Sequence, residues 1–103
     1  MKKGILLHDA NDDVGVAVMD LNAGEEIGVV TLEGKAVKQI TLVSNIPLGH
    51  KVAMRDLSTN QHVIEYGRPI GATAAEIVTG EHVHVHNIKS LRWVASKSKL
   101  FEN

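Results

Sequence analysis

The sequence predicts a small, mostly β domain, and three observations carry that prediction. The apolar residues are chiefly Val, Ile, Leu and Ala, in short runs broken by Gly, Asn or Asp. Such runs suit short strands joined by tight turns. One eight-residue pattern also recurs four times: an acidic or amide residue, Leu or Ile, two variable residues, Gly or Asn, two polar residues, then Val or Ile. Its copies are Asp20–Ile27, Asn45–Val52, Asp56–Val63 and Glu76–Val83, with Gly24, Gly49, Asn60 and Gly80 in the fifth place. Gly and Asn take positive φ most readily, so each copy reads as a corner that ends there and launches a strand. The Leu or Ile pins the corner to the core. The copies are irregularly spaced, which excludes a solenoid array. The third observation is the alternation Glu81-His82-Val83-His84-Val85-His86-Asn87. It has the two-residue period of an extended strand.

The elements follow in order. Ile5–Leu7 is a short strand and residues 8–13 a polar loop of turn formers. Val14–Met19 is a strand, Leu21–Glu26 a turn and Ile27–Leu32 a strand. Glu33-Gly34-Lys35 has the composition of a hairpin turn into a strand over Ala36–Val43. Pro47 and Gly49 break the chain before a strand at Lys51–Met54. Val63 and Ile64 make a short strand, and residues 66–71 an irregular turn. Ala72–Val78 contains Ala and Glu, good helix formers, and reads as one helical turn. Glu81–His86 is a strand, and the stretch from Ile88 to Asn103 reads as a strand followed by an exposed end.

Composition excludes several functions. At 103 residues there is one domain, with room for a single core but not for a deep enzymatic cleft. The net charge of −1 and the absence of any basic run argue against a phosphate-tracking surface. One Trp, one Tyr and one Phe make a poor base-stacking platform. Nucleic acid is therefore not an expected partner. The apolar start at Ile5-Leu6-Leu7 ends at His8-Asp9, too short for a signal peptide, and no stretch reaches membrane-spanning length. A cytoplasmic location is the expectation. Without cysteine, the possible metal ligands are His, Asp, Glu and backbone oxygen.

On a strand, His82, His84 and His86 share one face while Val83 and Val85 share the other. A solvated face filled with histidine is the bland alternative, but three of the chain's six histidines fall within five positions. Imidazoles bind transition metals and move protons near neutral pH. Neighbours on one strand face stand ~6.5–7 Å apart at Cα, so two can converge on one ion but three on a straight strand cannot. The remaining ligands must come from elsewhere; His50, at the matching corner of another copy, is an internal candidate. No Asp or Glu stands at ligand spacing, so the site looks incomplete. Arg68 offers a bidentate contact to a substrate carboxylate, with an ordinary exposed charge as the alternative. His8 and His62 read as surface residues.

Three runs carry a resemblance: Ile46–Met54, Val63–Gly71 and Gly80–Asn87. With Asp12–Ala17 and Asp20-Leu21 they are similar to the SAF domain of the altronate and galactarate dehydratase family, a small β-clip fold. The resemblance covers roughly Leu6 to Asn87. Residues 1–90 would then be the SAF domain and 91–103 a C-terminal tail, with Leu91 and Trp93 as candidates for partner contact or for core packing. The resemblance implies a hydro-lyase for a sugar acid such as altronate or galactarate, dependent on a divalent metal, often Fe2+. The domain would act as a small subunit completed by a large catalytic subunit and would be inactive alone. A homo-oligomer stays open. A sister branch implies a sulfolactate sulfo-lyase instead, and a non-catalytic carbohydrate-binding module is the competing class. Under the lyase reading His82, His84 and His86 are the candidate catalytic residues. His84 and His86 are the candidate metal ligands, and His50 and Arg68 the candidate substrate contacts.

Overall fold

The computed structural model describes residues 2–90. Among them are nine strands and no helix: β1 (Lys3–Leu7), β2 (Val14–Ala17), β3 (Glu26–Thr31), β4 (Ala36–Thr41), β5 (Lys51–Ala53), β6 (His62–Glu65), β7 (Arg68–Thr73), β8 (His82–Val83) and β9 (Ile88–Ser90). Six of them form one sheet in the order β4-β3-β1-β2-β5-β8, and β6-β7-β9 form a second. Among these strands only β1 and β3 pair in parallel. The predicted mostly β class is thus found as an all-β domain of short strands.

The four repeated corners build the interior. The fifth residue of each copy takes positive φ: 88° at Gly24, 84° at Gly49, 61° at Asn60 and 87° at Gly80. The pinning residues Leu21, Ile46, Leu57 and Ile77 are all buried. The corners also associate in pairs. Leu21 and Ile46 exchange backbone hydrogen bonds of 2.9 and 2.8 Å, and Leu57 and Ile77 exchange bonds of 2.7 and 2.9 Å. Head residues reinforce the pairing across each dyad. Asp20 accepts from the Leu48 N–H, Asn45 from Ala23 and Asp56 from Thr79.

Each pair of corners closes its own core. Leu21 and Ile46 pack with Ile5, Leu7, Ile27, Val29, Leu42, Val52 and Met54. Leu57 and Ile77 pack with Val14, Ala53, Val63 and Val83. Val52 and Ala53 are adjacent on β5 yet serve different cores, because successive strand side chains point to opposite faces. At Gly80 a Cβ would collide with the Thr41 carbonyl oxygen, so this corner needs glycine for close approach as well as for its φ.

Three expectations need correction. Ala72–Val78 is not a helical turn: Ala72 and Thr73 end β7, Ala74 N–H donates to the Asn87 carbonyl, and Ile77 pairs with Leu57. Helix propensity is a weak preference, and the corner's cross-chain hydrogen bonds override it. The irregular turn over residues 66–71 is a two-residue hairpin, Tyr66-Gly67, with φ of 56° and 70°; Arg68 already belongs to β7. The strand at Glu81–His86 stops at Val83, and residues 84–87 turn. Val83 is buried as expected, but Val85 is 82% exposed instead of sharing its face.

The loop before β2 is more than polar filler. Asp12 is fully buried, and its carboxylate accepts from the N–H groups of Tyr66 and Gly67, which fixes the β6–β7 hairpin against the loop that follows β1. Asp13 accepts from Ile64 N–H and meets Arg55 Nε at 3.3 Å. The expectations placed on residues 91–103, including Leu91 and Trp93, lie outside the described residues.

Candidate metal centre

β5 and β8 pair antiparallel, with Val52 opposite His82 and Lys51 opposite Val83. Continued by one residue, this register sets His50, just after the second corner, opposite His84, with His82 diagonal to it on the same face. The His50 Nδ1 lies 2.8 Å from the His82 Nε2. The chain bends at His84, and its ring lies against both. Ring centroids are 5.0 Å apart for His50 and His82, 4.4 Å for His50 and His84, and 5.4 Å for His82 and His84, and all three pairs are stacked. One nitrogen from each of these three rings lies within 4.8 Å of the others. His86 stands at the margin, its ring 5.3 Å from that of His82 and tilted by 37°.

Asn87 makes the turn that gathers these rings. It is buried, and its Oδ1 accepts from the His84 N–H at 2.9 Å while its Nδ2 donates to the His82 carbonyl at 2.9 Å. The Nδ2 also reaches Glu81 Oε2 at 3.4 Å. One amide therefore fixes both histidine backbones. The β5–β8 register brings His50 from a distant corner to the face of His82 and His84, and the Asn87 turn holds His84 there.

The donor set fits a borderline divalent ion. Bonds of ~2.0–2.1 Å at a tetrahedral angle place two nitrogens about 3.3 Å apart, so the 2.8 Å pair has to open by only about half an ångström. His50 and His82 are half-buried and His84 is exposed, which leaves one side open to further ligands. Burial lowers the His82 pKa below its ordinary value, and the neighbouring His50, His86 and His84 lower it further. A lowered pKa keeps the imidazole neutral, the form that binds metal.

The other candidate residues lie elsewhere. Arg68 is exposed at the start of β7 and is not part of the cluster. His62 is exposed on β6. His8 stacks on Tyr66 at 4.0 Å, with its Nε2 2.8 Å from the Tyr66 hydroxyl. The grouping of His50 with His82 and His84 is only partly legible: the repeat places His50 at a matching corner, but its meeting with the others depends on the pairing of β5 with β8 and on the Asn87 side chain.

Residues 2–91 match the family model described as altronate/galactarate dehydratase SAF domain. The subunit alpha of (2R)-sulfolactate sulfo-lyase from Chromohalobacter salexigens is 40% identical over 94 residues, which covers 90% of this chain and all of that protein. The altronate dehydratase of Escherichia coli is 40% identical over 81 residues, and that of Bacillus subtilis 34% identical over 90. Those two matches take in 79% and 87% of this chain but only 15% and 17% of the dehydratases. With all of its described residues matched, this chain belongs to the altronate/galactarate dehydratase SAF domain family.

Proposed function

We propose that this chain is the small subunit of a two-subunit lyase that expels sulfite from a sulfolactate-type 2-hydroxy acid. The observation that carries this reading is the match to the sulfo-lyase subunit alpha, 40% identical over 94 residues of this chain, whereas the two dehydratases reach 40% over 81 and 34% over 90. Dehydration of altronate or galactarate is the second reading, supported by the family description and by those dehydratase matches.

Both reactions share one chemical plan. A base takes the proton α to the carboxylate, and the β-substituent leaves with its electron pair, as sulfite in one case and as water after protonation in the other. A divalent ion supplies Lewis-acid polarisation of substrate oxygen when bound. His50, His82 and His84 would hold that ion from one side, and the remaining positions fall to substrate or to a large partner subunit. Fe2+ suits an imidazole set without thiolate, as do other divalent ions of that group. His86, beside the cluster, would then hold or deliver a proton. Arg68 is retained as a candidate carboxylate contact only if the partner brings substrate to β7.

The test is co-expression of the chain with a large lyase subunit, followed by parallel assays on (2R)-sulfolactate, altronate and galactarate. Sulfite release without dehydration of either sugar acid supports the first reading. Dehydration of a sugar acid without sulfite release transfers the conclusion to the second.

A further inference from the structure

Three of the four corners share a local bond that the second lacks. In the first copy, Glu25 Oε1 accepts from the Asn22 N–H at 2.7 Å. In the third, Gln61 Oε1 accepts from the Ser58 N–H at 2.8 Å, and in the fourth Glu81 Oε1 accepts from the Val78 N–H at 3.1 Å. The acceptor always follows the residue with positive φ, and the donor always follows the pinning Leu or Ile. In the second copy the acceptor's place belongs to His50 and the donor's place to Pro47, which has no N–H. The backbone turn is unchanged, since His50 N–H donates to the Pro47 carbonyl at 3.0 Å just as Glu81 N–H does to Val78. Only the side chain is released. Instead of closing its corner, the His50 imidazole lies against His82 and His84.

We infer that Pro47 is a positioning residue for the metal centre: by removing the corner's own donor, it frees His50 to serve as the third imidazole. Any other residue at position 47 would supply an N–H three residues before His50, aimed where the Glu25, Gln61 and Glu81 side chains bind. An imidazole nitrogen accepts such a bond. It would then compete with the cluster for His50, and an occupied nitrogen turned toward the corner leaves His82 and His84 with one ligand fewer. The proline thus converts a structural corner into a ligand-bearing one without changing the chain path. This inference rests on the metal reading above, but its corner logic does not.

Two measurements on the full chain test it. The first is a thermal double-mutant cycle without metal, using Pro47→Ala, His50→Gln and both together. The other corners are closed by carboxylate or amide oxygens, Gln in the third, so the change in Tm on His50→Gln should be more favourable by a few degrees in the Pro47→Ala background than beside Pro47. Additive effects in the cycle overturn the inference. The second is titration with Co2+, followed by its visible absorption. Pro47→Ala should bind about tenfold more weakly, with an altered band; Pro47→Ser, which also restores the N–H, should behave alike. Wild-type affinity and spectrum in both variants overturn the inference. If the unsubstituted chain binds no Co2+, the metal reading fails, and the thermal cycle alone decides whether Pro47 releases His50.

Discussion

Asn87 is the single side chain on which the histidine geometry depends most. Its amide joins the His84 N–H, the His82 carbonyl and Glu81, and it is buried. Asn87→Ala leaves a backbone donor and a carbonyl without partners, which costs about 2–3 kcal/mol. Urea denaturation of the metal-free chain should show that loss, and the same variant should bind divalent ions more weakly. His82 gives a second prediction, from its lowered pKa. The folded chain keeps His82 neutral at pH values where the unfolded chain has already bound a proton. Stability of the metal-free chain therefore falls as pH drops below about 6.5, the ordinary imidazole value, and this contribution is flat above it. Thermal melts between pH 8 and pH 5 should show a shallower acid decline for His82→Gln. The sequence revealed that histidines cluster here, because their scarcity and spacing are visible. It did not reveal which three meet, because that follows from the register of β5 against β8 and from one amide hydrogen-bonding across a turn.

At the scale of elements, the corner is the unit that organises this chain. Its glycines separate two effects cleanly. Gly24 and Gly80 have nearly the same φ, yet a Cβ at Gly24 meets nothing while one at Gly80 strikes the Thr41 carbonyl. Gly24→Ala should cost about 1–2 kcal/mol from the left-handed backbone alone. Gly80→Ala adds a backbone collision, and the expected outcome in denaturation is a loss at least twice as large. Equal losses would contradict the close packing of the fourth corner on Leu42. The corners were legible because positive φ restricts residue choice, and that restriction repeats four times. The segment Ala72–Val78 was misread because its local propensity is helical, while its hydrogen bonds go to Leu57 and Asn87, distant in sequence. Glu81–His86 was misread for the related reason that alternation marks a strand only where a neighbouring strand continues. β5 begins only at Lys51, which pairs with Val83, so the antiparallel ladder runs out where β8 ends.

On the scale of the whole molecule, two small cores hold a sheet whose β8 edge carries an open imidazole cluster. Val85 stands 82% exposed on the turn between His84 and His86, the most exposed large apolar side chain among the described residues. Such a residue, held beside an incomplete site, suits burial against a partner. Val85→Asp should leave the melting temperature of the isolated chain within a few degrees and weaken its association with a large subunit by about tenfold or more, read by calorimetry. The fold class was legible at this scale from strand length and corners, whereas the division into two cores was not, since it depends on which corners pair. The central claim is that His50, His82 and His84 form one side of a lyase metal site. Its most direct test is sulfite release from (2R)-sulfolactate by the co-expressed complex carrying His84→Ala, with His62→Ala on exposed β6 as control. The account predicts loss of about a hundredfold or more in kcat/KM for His84→Ala and unchanged turnover for His62→Ala. Full activity of the His84→Ala complex would contradict it.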